Sequence, residues 1–321
     1  GHRARLGTAY FEGRGDYLLT VTVRDAQGLA VASSVNVRVL ATADAIDVSP
    51  AVASLVYGGG QTFSATVLDQ FGDPLASQPG SFIWTASGGG TITSGGLYTA
   101  TAAGGPYVVT AASGGISGGA SVTVNRAPAT VDLDGLERLY TGAPLPVSAT
   151  TQPAGLAVSI LYDGSSEAPV AAGSYAIEAV IVDPNHQGGA SATLVVRTGL
   201  DAWAGSLGLA GDDAAPTADP DADGMPNLIE YALAGDPLSA GRPPVEATVI
   251  EGRLALVFVR IADPGLVYTV ETSDDLAQWS TLEVPGNPST GESNIAGPAF
   301  VVDTREPATS PRRFLRLRVS Y

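Results

Sequence analysis

The sequence predicts a mostly β chain, a string of small β-sandwich modules interrupted by one short helix–loop–helix. Two observations carry this. The 321 residues include 40 Gly and 22 Pro with 45% hydrophobic residues, enough apolar content for buried cores but turn-rich punctuation unsuited to long helices. Apolar and polar residues also alternate with period two in repeated strand pairs, the pattern of antiparallel sheets with one buried face.

The elements follow in chain order. Three strand pairs open on a Gly-x-Tyr step: Gly15-Asp16-Tyr17 before Leu19, Val21 and Val23; Gly105-Pro106-Tyr107 before Val109; and Gly173-Ser174-Tyr175 before Ile177 and Ile181. Each reaches a polar, Gly-rich turn, expected at Asp25 to Gly28, Ser113 to Gly119 and Asp183 to Gly189. Closing strands then alternate through Val35, Val37 and Val39, through Val122 and Val124, and through Leu194 and Val196, each predicting a half-buried sheet. Short linkers are expected at Ala41 to Ala45 and Arg126 to Pro128.

The resulting domains are 1–41, the C-terminal part of a truncated module whose missing strands are expected upstream; 42–126 and 127–197, two β-sandwiches; 198–242, the helix–loop–helix; and 243–321, a last β-sandwich. The last module is expected to place strands at Glu246 to Ile250, Leu254 to Val259, Val267 to Thr272 and Phe314 to Val319.

Composition excludes several functions. The formal charge of −16, with every basic residue an Arg, gives no basic patch for a polyanion, so nucleic acid is not an expected partner. Zero Cys removes disulfides and thiolate chemistry. No apolar run is long enough to cross a bilayer, so no membrane insertion is expected, and a signal peptide is expected upstream of Gly1.

Two stretches carry family resemblances. Residues 46–125, with Val48-Ser49-Pro50, Asp69-Gln70-Phe71-Gly72-Asp73-Pro74, Trp84 and Gly95 to Tyr98, resemble the Ig-like repeats of bacterial surface proteins. Residues 129–197, with Tyr140-Thr141-Gly142, Pro153 to Leu156, Leu161-Tyr162-Asp163-Gly164, Pro169 to Tyr175 and Asp183-Pro184-Asn185, resemble the "mostly bacterial Ig-like" repeats. These resemblances imply tandem Ig-like β-sandwiches, an extracellular or cell-surface setting and a spacer or adhesion role without catalysis. The segment Tyr268 to Leu276 with Trp279, closing on Arg313 to Arg316, resembles a C-terminal module of large proteins from environmental bacteria, and implies no activity.

The sharpest chemistry lies in Asp219-Pro-Asp221-Ala-Asp223-Gly224-Met225-Pro226-Asn227-Leu-Ile-Glu230. Calcium takes hard oxygen ligands, and an EF-hand loop supplies them from alternate positions, a backbone carbonyl and a terminal bidentate Glu. The expected ligands of one Ca2+ are Asp219, Asp221, Asp223, the Met225 carbonyl, Asn227 and Glu230, with Gly224 at the turn. Pro226 cannot donate the N–H that pairs loops in sensor EF-hands, and is expected in the first turn of a helix running from Asn227 to Leu233. A second helix is expected over Leu200 to Leu207, with Trp203 packing on the first. The site thus resembles the single loops of dockerin-like and thrombospondin type 3-like segments. The alternative is an acidic linker whose carboxylates favour the following helix. Asp212, Asp213 and Asp236 are expected on the surface.

Other motifs weigh less. Arg14-Gly15-Asp16 spells an integrin-recognition tripeptide but coincides with the repeated Gly-x-Tyr step. His2 and His186 have no Cys or His neighbour in sequence. Trp84, Trp203 and Trp279 fit core packing better than a sugar platform, Trp279 being the most exposed candidate. No catalytic constellation is visible, so the chain is not expected to be an enzyme. The leading expectation is a structural and adhesion-type region with an unidentified glycan or protein ligand, calcium rigidifying the join between Arg197 and Pro243. Alternatives are an accessory region of an extracellular hydrolase catalysing upstream, and calcium-dependent docking to a partner protein.

Overall fold

The computed structural model describes residues 7–241, 245–284, 296–305 and 312–321; His2 and Pro243 lie outside them. The chain is mostly β, with short helices confined, among the described residues, to one segment. It divides into two compact units, one of residues 1–129 with Ile181–Gly188, the other of Thr130–Val180 with Gly189–Tyr321.

In the first unit, Gly15–Arg24 pairs antiparallel with Ala30–Val39. The alternation predicts a half-buried face, yet Val21, Val23, Val31 and Val35 are all exposed, because no second sheet covers this hairpin among the described residues. The following module has the expected two-layer architecture. One sheet runs Val52–Val56, Ile116–Asn125, Gly104–Ser113, Ile83–Ala86; facing it are the pair Ala43–Ser49 with Ser64–Asp69 and a three-stranded sheet of Gly60–Thr62, Leu97–Ala100 and Gly90–Ile92. Their inward residues, among them Phe63, Tyr98, Val109, Ala111, Val122 and Val124, form one buried cluster.

Local details depart from the sequence reading. Ser113 faces Ile116 across the hairpin, so the turn is only Gly114 and Gly115, and Gly118 and Gly119 lie inside the closing strand. Gly118 is there for space: a Cβ would sit 1.9 Å from the Ile46 carbonyl oxygen on the facing sheet. The expected linkers are also partly strand. Ala43 already pairs with Asp69, and Ala127 and Pro128 lie parallel to His186 and Gln187.

The Gly-x-Tyr repeat has a common geometry. Each tyrosine hydroxyl donates to the carbonyl four residues upstream: Tyr17 to Gly13 at 2.8 Å, Tyr107 to Ala103 at 3.5 Å, Tyr175 to Ala171 at 2.8 Å. To fold the ring back over its own chain, the backbone uses φ of +153° at Gly15, +120° at Gly105 and +155° at Gly173, a region that L side chains rarely adopt.

In the second unit, Thr130–Asp134 pairs with Ser148–Gln152 opposite a sheet ordered Glu137–Leu139, Gly189–Arg197, Gly173–Ile181, Val158–Tyr162. Val147, Tyr162, Ile177, Leu194 and Val196 are buried together, and the Tyr162 hydroxyl accepts from the Val147 N–H. The last module has two three-stranded sheets, Val245–Ile250, Arg253–Arg260, Gly297–Val302 and Ser280–Leu282, Val267–Ser273, Phe314–Ser320. The four expected strands are present to within two residues, and Ser280–Leu282 and Gly297–Val302 are added.

An ion network closes this module. Asp303 is buried and takes two hydrogen bonds from the Arg313 guanidinium, through Nε and Nη2, while Asp274 accepts from Arg313 and Arg305. The Arg313 hydrogen bond holds the Asp303 carboxyl below its usual range, against the opposing effect of burial.

Two outcomes test this description. Tyr175→Phe removes one fold-back hydrogen bond and should lower the calorimetric stability of its module by about 0.5–1.5 kcal/mol. Because the folded-state pKa of Asp303 is depressed, its contribution is complete above about pH 4 and fades as pH falls through the depressed value. Calorimetry between about pH 5 and about pH 2 should show a steeper loss for the wild-type last module than for Asp303→Asn.

Candidate metal centre

Two helices frame the acidic loop. α1, Gly199–Ser206, starts from a capping box in which the Thr198 hydroxyl accepts from the Asp201 N–H and the Asp201 carboxylate accepts from the Thr198 N–H. α2, Asn227–Ala232, has Pro226 as its N-cap, one position outside the helix instead of in its first turn. With φ −76° and ψ 151°, Pro226 directs the chain into the helix from extended backbone. Trp203 packs on Tyr231 with ring centroids 5.4 Å apart, as the helix pattern predicts.

The loop closes on itself through backbone. Asn227 N–H donates to the Ala218 carbonyl at 2.8 Å and Leu228 N–H to the Pro216 carbonyl at 3.0 Å, so the residues flanking the loop are held side by side. Within it, Asp219 accepts from the Asp223 and Gly224 N–H groups, Asp221 from Asp223, and Asp223 from Met225. Positive φ at Ala222 (63°) and Gly224 (92°) turns the chain tightly enough to gather these side chains. One carboxylate oxygen from each of Asp219, Asp221 and Asp223 lies within 4.8 Å of the others.

Two further expected ligands, Asn227 and Glu230, lie on α2. Both are completely buried. The Asn227 amide donates both its N–H groups, to the Asp213 carbonyl at 2.8 Å and the Ala215 carbonyl at 2.9 Å, which fixes Oδ1 as its remaining free end. That Oδ1, both Glu230 carboxylate oxygens and Asp221 Oδ2 are buried and meet no hydrogen-bond donor among the described residues.

Acceptor oxygens buried without donors are costly, and here the cost is compounded by like charge. Burial, then the charges of Asp221, Asp223, Asp219 and Asp236, push the Glu230 carboxyl up to about 7. Asp221 is also raised, by burial first and by Asp223 and Asp219 after it, although the Asp223 N–H pulls the other way. Hard oxygens concentrated in this way, short of donors and crowded with negative charge, are matched to a hard divalent cation. Met225 lies in register between Asp223 and Asn227, its N–H taken by the Asp223 carboxylate.

Sequence spacing picks out the candidate ligands but not their supports. The Asp213 and Ala215 carbonyls, and the Gly241 N–H that binds Asp223 Oδ2 at 3.0 Å, are backbone groups, so residue identity carries no signal for them. Asp212, Asp213 and Asp236 have exposed side chains, as expected.

The lesser candidates sit in structural roles. Arg14 donates to the Pro74 carbonyl and Asp16 lies 3.7 Å from Arg38, so the tripeptide is held within strand and loop contacts. His186 Nδ1 lies 2.8 Å from Asp183, whose carboxylate also caps the Asn185 and His186 N–H groups. Trp84 packs against the core of its module. Trp279 is half-buried, with the Arg316 guanidinium 4.0 Å above its ring, so that face is not an open sugar platform.

Residues 129–199 match the family model of the MBG domain, covering the stretch whose motifs resemble the "mostly bacterial Ig-like" repeats. No curated protein matches the chain. Among solved structures, the surface layer protein SbsC, domains 1–6, is 13% identical over 91% of this chain and 44% of its own, with a TM-score of 0.27. The adhesin InvE of Yersinia pseudotuberculosis is 14% identical over 46% and 57%, TM-score 0.26. Sidekick-1 immunoglobulin domains 1–5 are 10% identical over 96% and 66%, TM-score 0.30. The chain thus spans less than two thirds of each of these three structures.

The Asn227 geometry yields a direct test. Asn227→Asp adds a carboxylate but removes both donors to Asp213 and Ala215, leaving two part-buried carbonyls without these partners. The variant should be less stable in this segment by about 1–3 kcal/mol, read as faster hydrogen exchange across residues 211–233.

Proposed function

We propose that this chain is a non-catalytic, structural and adhesion-type region of a secreted or cell-surface protein, and that its loop 219–230 binds one calcium ion. One observation carries the metal assignment: Glu230, wholly buried on α2, has two carboxylate oxygens without donors among the described residues, within electrostatic reach of three gathered aspartates. Calcium satisfies all of these acceptors together and cancels their repulsion. Asp219, Asp221, Asp223, Asn227 and Glu230 would supply side-chain oxygens and Met225 its carbonyl.

The same observation weighs against an acidic linker. A solvated linker leaves its carboxylates in water, where their charge is screened, whereas Glu230 and Asn227 are fully buried. The adhesion-type reading is supported by the tandem β modules and by the MBG match over residues 129–199. In this role the ion supplies folding free energy that a Cys-free chain cannot draw from disulfides.

Calorimetric titration of the full chain with calcium tests the assignment. We expect saturable binding at one site, lost in Asp219→Ala and Glu230→Ala, and chelator should sensitise residues 198–241 to protease. Absence of binding in the wild type would overturn the metal assignment and leave an acidic loop.

A further inference from the structure

The calcium loop and the last β-module share a helix. Ala232 and Leu233, at the end of α2, are buried in the same cluster as Leu256, Phe258, Tyr268 and Val270 of the sandwich. Glu230 precedes them by two and three residues on a helix of six. One short rigid element therefore carries a proposed ligand at one point and a piece of another module's core at the next.

Polar contacts fasten the same junction. The Tyr268 hydroxyl, itself buried between the sheets, donates to the Ala232 carbonyl at 2.7 Å, taking up an acceptor at the helix C-terminus. Tyr231 and Tyr321 both donate to Asp263 Oδ2 at 2.6 Å, and the Tyr321 hydroxyl accepts from the Gly199 N–H at the start of α1. The contact at Gly199 is close: a Cβ there would lie 2.1 Å from both Asp263 Oδ2 and the Tyr231 hydroxyl. α1, α2, the loop between two sandwich strands and the last strand thus meet at one carboxylate.

We infer that calcium at the loop governs the folding stability of the last β-module, through α2 as a shared core element, and does more than stiffen a linker. This rests on the calcium assignment above and goes beyond it by naming what the ion regulates. In the metal-free chain the unmatched Glu230 charge acts against seating α2, and the sandwich loses the helix that covers Tyr268 and Phe258. With calcium bound, the charge is matched and α2 is held in place.

Hydrogen–deuterium exchange by mass spectrometry on the full chain, in calcium and in chelator, separates the possibilities. At free calcium about one hundred times Kd, exchange governed by opening of the shared unit should slow about a hundredfold. That slowing should extend beyond the loop to Arg253–Arg260 and Val267–Ser273, while Gly104–Ser113 and Ile116–Asn125 stay unchanged. Protection confined to residues 211–233, with calorimetric binding intact, would overturn this inference and leave the calcium assignment standing; no binding would overturn both. Glu230→Gln gives a second test, because it keeps the side-chain volume and removes the charge. In chelator the variant should protect Arg253–Arg260 and Val267–Ser273 better than wild type, and it should respond little to calcium. A variant that alters exchange only in the loop would also overturn the inference.

Discussion

The arrangement of the second half of the chain turns on one group, the buried carboxylate of Glu230. A charged side chain goes under cover only when something compensates its lost hydration. Here no donor among the described residues does so, while neighbouring aspartates add to the penalty. Around this point the fold brings together everything else that is specific: the backbone staple between Ala218 and Asn227, the amide of Asn227 turned by two carbonyls, and the helix that continues into the core of the last sandwich. The two middle modules are held by ordinary apolar burial and hairpin registry.

Much of the fold was legible because β-structure with one covered face writes itself into period-two alternation. Val122, Val124, Leu194 and Val196 are buried where that pattern places them. The same rule misleads for Val21, Val23 and Val35, because alternation records which face a strand offers and not whether anything covers it. Gly297–Val302 carries no signal for a different reason: its sequence Gly-Pro-Ala-Phe-Val-Val has no alternation to read. The span of the Ser113 hairpin was overestimated because Gly118 looks like turn chemistry, although its role is to let a facing backbone come close.

At the site the division is equally physical. The offsets of Asp219, Asp221, Asp223, Asn227 and Glu230 are those that the radius of a small cation would impose, so the proposed ligands can be read in line. What holds them cannot: main-chain carbonyls of Asp213 and Ala215 belong to any residue, and the helix that carries Glu230 is seated by packing against strands well downstream in the chain. Likewise Tyr231, Asp263 and Tyr321 are scattered in sequence, and nothing local announces that their oxygens meet.

Both complete modules built on the Gly-x-Tyr hairpin pair an early strand in parallel with their closing strand, Val52–Val56 with Ile116–Asn125 and Glu137–Leu139 with Gly189–Arg197. Parallel alignment of an early strand with the closing one has a mechanical meaning. When the chain is pulled from its two ends, the strands slide past one another lengthwise, so their hydrogen bonds share the load and must yield together. An antiparallel pair at the same place would peel open one bond at a time. Tension on the backbone therefore meets, in each module, a short parallel ladder that resists as a unit.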